Sequence, residues 1–245
     1  MTQVDIYPIP GFTQPVSSLT HLLGAGVFAI LGLLLVRRGW GNPVRVTCLG
    51  VYVFSCVLLM SMSGVYHLLP FGTTGRAVLE RLDHDAIFVL IAGTFTPVHG
   101  ILFRGPARWG MLLLVWLAAV AGISLKTIFF ERFPEGLGLL LYLVLAWIGA
   151  LSAVTLWRRH GLRFVLPVIG GAVCYTGGAL QDFLRCGALV PGIIGSHEIF
   201  HLAVLAGAGF HWKFISQFAS GEVIVPAPAL EKPDPDECTD QLFLT

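Results

Sequence analysis

The sequence predicts an all-α membrane protein, a bundle of seven transmembrane helices, and three observations carry that expectation. The 245 residues are 56% hydrophobic and only 12% charged, with a mean hydropathy of +0.81, which is more apolar surface than one soluble core can hide. Seven apolar stretches, at about 17–36, 46–69, 84–103, 109–126, 137–157, 163–181 and 196–215, approach the roughly 20 residues that cross a bilayer. The connections between them are short and break at turn chemistry or charge, as in Pro70-Phe71-Gly72, Arg104-Gly105-Pro106 and Pro134-Glu135-Gly136.

The first sixteen residues contain no lysine or arginine and so lack the basic region of a secretory signal peptide; they form an N-terminal segment (1–16), and the first span is expected to be retained. The sixth span is the least regular. It carries Pro167 and the pairs Gly170-Gly171 and Gly177-Gly178, glycines that read as close packing between helices. The transmembrane domain therefore covers 17–215. Beyond it the composition changes: four prolines alternate with Glu231, Asp234, Asp236, Glu237 and Asp240, the pattern of a solvated acidic tail over 216–245. Five scattered cysteines without a C-x-x-C indicate neither a disulfide framework nor a thiolate metal site, and a net charge of +1 gives no argument for nucleic acid.

Seven crossings have a geometric consequence. The end of span 2 and the starts of spans 3 and 7 lie on the same side as the N-terminus, here called side X. Residues near 67, 83 and 197 therefore share one membrane layer.

Ionisable groups are rare in spans and tend to face the bundle interior. His197 and His201, spaced i and i+4, put two imidazoles on one helical face where they can reach one ion. His67 ends span 2, with Ser63 one turn below it, and Asp83 stands in Arg81-Leu82-Asp83-His84-Asp85 at the mouth of span 3. Thr20-His21 at the start of span 1 reads as interfacial polarity.

Combined, His67, His197 and His201 converge in one layer with Asp83 and Ser63 beside them. Three neutral imidazoles with a fourth position left for water are the ligand set of a catalytic zinc site. A nearby carboxylate orients that water or accepts its proton, and a hydroxyl hydrogen-bonds it.

Read as letters, His197-Glu198-Ile199-Phe200-His201 is also the zinc-protease motif, with Glu198 as base. Against that reading, the chain has no span after the motif and no Asp-Gly to supply a third ligand, and Glu222 lies beyond the last span. Glu198 is rotated by about 100° from His197 and is expected at the interface.

These residues fall in a pattern. Thr20-His21-Leu22-Leu23-Gly24, Ser63 to His67 as S-x-x-x-H, Leu82-Asp83-His84 followed by Leu90 to Pro97 (L-I-A-G-T-F-T-P), and His197 to His201 running on to His211 appear in order from about residue 14 to 213. The chain resembles the haemolysin III family and, more distantly, the progestin and adipoQ receptors, which include the adiponectin receptors. Alkaline ceramidases belong to the same wider superfamily.

The resemblance implies a seven-helix bundle with an intramembrane zinc held by His67, His197 and His201, and Asp83 and Ser63 close to the water at the metal. It also implies a variable residue after the first histidine of H-x-x-x-H, which weakens a catalytic role for Glu198. One departure stands out: the family's glutamate and asparagine, seven and four positions before the histidine of span 1, are replaced by Gln14 and Ser17.

The expected function is hydrolysis of a lipid amide or ester in the bilayer, with zinc as cofactor and a membrane lipid as substrate or ligand. A receptor or sensor with a structural zinc is the alternative from another class. Membrane disruption, which the family name suggests, finds no amphipathic segment or ring of charge to support it. The expected location is the bacterial cytoplasmic membrane. The loops after spans 1, 3 and 5 hold eight arginines against five basic residues on side X, which points to an external N-terminus, whereas the resemblance to adiponectin receptors points to an internal one.

Overall fold

The computed structural model describes residues 6–224, so the acidic tail from 225 onward lies outside the described residues. Eight α-helices follow in order: α1 (Pro15–Arg38), α2 (Pro43–Leu68), α3 (Thr74–Pro97), α4 (Pro106–Ile128), α5 (Glu135–Trp147), α6 (Gly149–His160), α7 (Leu162–Phe183) and α8 (Ser196–Ser216). α3 runs on through a π-helical turn, Val98–Leu102, and α5 and α6 form one crossing, so the seven expected spans are the seven observed ones. The chain is an integral multi-pass membrane protein.

Helix starts follow local chemistry. Pro15, Pro43 and Pro106 occupy first-turn positions, where the missing N–H removes nothing. The Asn42 side chain accepts from the Arg45 N–H at 3.1 Å.

Span 3 differs from its expected start. Charges at Arg76, Glu80 and Arg81 make the stretch read as a loop, yet Thr73 Oγ1 accepts from the Arg76 N–H at 3.3 Å and the helix begins at Thr74. Asp83 therefore lies nearly three turns inside α3 rather than at its mouth.

α1, α2 and α3 pack side by side, and α8 packs between α7 and α1. The main core joins Leu49, Tyr52, Leu59 and Met60 of α2 to Val204 and Ala208 of α8. Close approach is set by small residues. Gly64 lies against Leu22, Gly93 against Ser55, and in α7 Gly170, Gly171 and Gly178 lie against Phe210, His211 and Ala203 of α8. Three of the four paired glycines of the sixth span are thus packing positions, as the sequence indicates, whereas Gly177 has no neighbour within 4 Å.

Large apolar side chains such as Ile30, Leu33, Leu117, Leu151 and Val173 remain exposed around the outside, where lipid covers them. The core continues past residue 216, with Phe218 and Ala219 fully buried.

At side X the N-terminal segment crosses the helix ends. The Tyr7 N–H donates to the Gly192 carbonyl at 2.8 Å, and the Gln14 N–H to the His67 carbonyl at 3.0 Å. That strap delivers Gln14 to the site.

Candidate metal centre

His67 comes from the last turn of α2, and His197 and His201 come from the first two turns of α8. Their Nε2 atoms point at one another: His197 Nε2 is 3.3 Å from that of His67 and 3.1 Å from that of His201. All three lie within 4.8 Å of one another. A tetrahedral zinc with Zn–N bonds of ~2.05 Å holds its nitrogens roughly 3.3 Å apart. The two spacings from His197 Nε2 match.

The groups behind the rings decide which nitrogens carry protons. Gln14 Oε1 lies 2.7 Å from Arg76 Nη2, which can only donate, so this amide atom is the oxygen. The same oxygen is 2.7 Å from His67 Nδ1, which must therefore be the protonated nitrogen, and His67 Nε2 is bare. His197 Nδ1 donates to Asp182 Oδ2 at 3.0 Å, which in the neutral ring leaves its Nε2 bare as well. Two lone pairs 3.3 Å apart repel unless a cation lies between them. The donor set fits a metal ion, and the Asp182–His197 contact is the carboxylate–histidine arrangement that orients metal ligands.

Gln14 replaces a carboxylate of the resembled pattern, and its oxygen still accepts from the ring of His67. Arg76 is held in place by the carbonyls of Tyr66 and Leu69 at 3.1 and 2.7 Å and by the faces of Tyr66 and Phe71.

His67 and His201 are buried, whereas the His197 side chain keeps 34% exposure and forms the open side of the cluster. Ser63 is buried, and the partly buried Asp83 lies beside it within Coulombic range of His197. All five expected site residues are thus gathered at one end of the bundle.

Sequence reasoning missed Asp182. The parity that puts the start of span 7 on side X also puts the end of span 6 there, and Asp182 is the acidic residue at that end. His21 is not interfacial as expected. It is buried, with its ring centroid 4.0 Å from that of His201 and its Nε2 3.4 Å from the His201 carbonyl.

Glu198 faces neither the metal cluster nor the interface. It is 1% exposed; Oε2 accepts from the Gly195 N–H at 3.0 Å and Oε1 from Ser17 Oγ at 2.9 Å. It caps α8 and ties it to α1. With both oxygens occupied in this way, Glu198 is a structural carboxylate, and Ser17, where the resembled pattern has asparagine, is its partner.

A family model described as "Haemolysin-III related" matches residues 12–212. The chain is similar to "Hemolysin-3" of Bacillus cereus, 31% identical over 197 residues that cover 78% of this chain and 85% of that one. It is also similar to the "Hemolysin-3 homolog" of Bacillus subtilis, 29% identical over 195 residues covering 78% and 87%. A Schizosaccharomyces pombe protein described as uncharacterised is 27% identical over 150 residues, 56% of this chain and 34% of its own. With two independently positioned motifs meeting in one histidine cluster and the family model spanning the bundle, the chain belongs to the haemolysin III family of multi-pass membrane proteins.

Proposed function

We propose that this protein is a zinc-dependent membrane hydrolase acting on a lipid amide or ester. The observation that carries the reading is the cluster of three converging Nε2 atoms, open at His197, with Asp83 and Ser63 alongside. Bound there, zinc supplies a Lewis acid that polarises a carbonyl and makes water acidic enough to attack near neutral pH.

The residues of the chain have separate tasks. His67, His197 and His201 hold the ion through Nε2. Gln14 and Asp182 fix two of those rings from behind, so that the ligand nitrogens stay unprotonated and aimed. Asp83 accepts the proton of the attacking water on its carboxylate, and Ser63 hydrogen-bonds and positions that water. Glu198 takes no part, because its oxygens are committed to Gly195 and Ser17. A lipid is favoured as substrate because the cluster lies within a bundle whose outer surface is apolar and faces lipid.

Metal analysis joined to lipid turnover tests this. Purified protein is expected to hold stoichiometric zinc. Asp83→Ala is expected to keep the metal and lose about 100- to 10,000-fold in turnover, the usual range for removing a general base. Wild-type protein without zinc would sink the proposal. If Asp83→Ala altered stability alone, with turnover of every lipid absent from the start, a structural zinc in a receptor or sensor would be the better account.

A further inference from the structure

Ser152 and His99 form a second pair of reactive side chains in the opposite half of the bundle. Sixteen residues of the third span separate His99 from Asp83, about 24 Å along a helix axis.

The direction of each hydrogen bond is defined. His99 Nδ1 lies 2.9 Å from the carbonyl oxygen of Ala107, which can only accept, so in the neutral ring Nδ1 carries the proton and Nε2 a lone pair. Ser152 Oγ is 2.9 Å from that Nε2 and donates to it. Nucleophile, base and orienting acceptor therefore stand in series, with a backbone carbonyl where serine hydrolases commonly place a carboxylate. Phe95 and Phe103 both lie nearly parallel to the imidazole, at 5.9 and 4.5 Å between centroids and tilted by 14° and 18°. His99 also sits in the π-helical turn Val98–Leu102, a backbone form that concentrates at functional sites.

Serine and histidine also bond across helices simply to hold a bundle together, and such pairs are sealed in packing. This pair instead lies where two cavities meet. One of about 420 Å³, bounded by α3, α5, α6, α7 and α8, has both residues in its wall, and so does one of about 380 Å³ against α4. The rim of the first includes the exposed side chains Trp147, Trp157 and Val173, and that of the second Leu114 and Leu151, so both open on the lipid-facing surface. The larger cavity is apolar apart from a few polar groups and falls in the size range of small-molecule sites.

The geometry points to a second, metal-independent catalytic site in which Ser152 is the nucleophile and His99 the general base, acting on an apolar acyl ester that enters from the lipid. Ser152 Oγ bonds to the ester carbonyl carbon as its proton passes to His99 Nε2. The carbon–oxygen bond to the alcohol then breaks, the proton on Nε2 goes to the departing oxygen, and the acyl group stays on Ser152. Water reverses the sequence: it gives a proton to Nε2 as its oxygen bonds to the acyl carbon, and Ser152 Oγ leaves and recovers that proton, releasing the carboxylic acid.

A reporter-tagged fluorophosphonate, which phosphonylates activated serines, tests this on the full-length protein in native membranes. Mass spectrometry of labelled wild type is expected to place one adduct on the peptide containing Ser152. Ser152→Ala should abolish it, His99→Ala should slow labelling by at least about 100-fold, and stripping metal with a chelator should leave the wild-type rate unchanged. No adduct at Ser152 in wild type, labelling undiminished in His99→Ala, or labelling lost with the metal would each overturn the proposal. Because the mapping is made on wild type, poor folding of either variant cannot mask the answer.

Discussion

At side X, the imidazoles of His67 and His197 each have an acceptor behind Nδ1, Gln14 in one case and Asp182 in the other. In the far half of the bundle His99 has the same arrangement with the carbonyl of Ala107. All three rings are fixed as the tautomer with a bare Nε2. What differs is the group in front. At side X, Nε2 meets another bare Nε2 at 3.3 Å, whereas His99 Nε2 meets the Ser152 hydroxyl at 2.9 Å. The first arrangement can hold a metal ion between its nitrogens, and the second is a hydrogen bond complete in itself. The chemistry of a buried histidine is therefore set less by its own burial than by whether its free lone pair finds a proton donor or a second lone pair.

The strongest way to break that comparison is to remove the lone pairs at side X. In His197→Ala plus His201→Ala, elemental analysis should find the bound metal gone, because one imidazole cannot hold an ion that three hold. Melting in detergent should lose its dependence on added zinc, since an ion that binds only the folded state stabilises it by mass action. Full zinc occupancy in this double variant would mean that the histidines are a polar cluster and that the contrast with His99 is empty.

Much of this contrast was legible in the sequence, and the gaps have physical reasons. Seven apolar runs and the parity of crossings were enough to bring His67 and His197, 130 residues apart, into one layer. The start of span 3 was misjudged because hydropathy measures side-chain transfer and not helix continuity; Thr73 begins α3 in a charged stretch well before the apolar run. Asp182 belongs to no motif, and only its contact with His197 makes it part of the site. Glu198 was correctly turned off the ligand face by the 100° rotation, but its partner Ser17 lies 181 residues away, a pairing that no local pattern announces. The Ser152–His99 pair had no motif at all.

The groups behind the rings should matter less than the rings themselves. Asp182→Ala removes the acceptor that holds His197 Nδ1, so Nε2 is no longer fixed as the bare nitrogen. Titration with zinc is expected to show affinity about 10- to 100-fold weaker, the usual effect of deleting a partner of a metal ligand. Unchanged affinity would mean that this contact does not aim His197, and would weaken the parallel with Ala107 behind His99.

Glu198 sharpens the comparison from another side, because it belongs to the five-residue motif but not to its chemistry. Glu198→Ala leaves Ser17 Oγ buried and unpaired and uncaps α8, an expected loss of about 2–4 kcal/mol in folding free energy, with bound zinc retained per folded molecule. Glu198→Gln keeps an acceptor for one of the two donors and should recover part of that loss. Normal stability combined with lost turnover would instead return Glu198 to the role of base.

The smallest effect concerns how α7 and α8 are held against each other. Gly177 and Gly178 are neighbours in α7, but only Gly178 faces α8, where an added Cβ would collide with that of Ala203; at Gly177 nothing lies within 4 Å. Gly178→Ala must therefore push α7 away from the helix that carries His197 and His201, an overpacking cost of about 1–3 kcal/mol. Gly177→Ala should change stability by no more than about 1 kcal/mol, and in the favourable direction, since alanine is the better helix former. Melting temperatures of the two variants, read with their zinc affinities, separate packing from ligation: Gly178→Ala should lower both, because the shift moves α8 relative to His67 on α2, and Gly177→Ala should lower neither. Equal effects from the two would mean that the α7–α8 contact is not what holds the metal ligands in register.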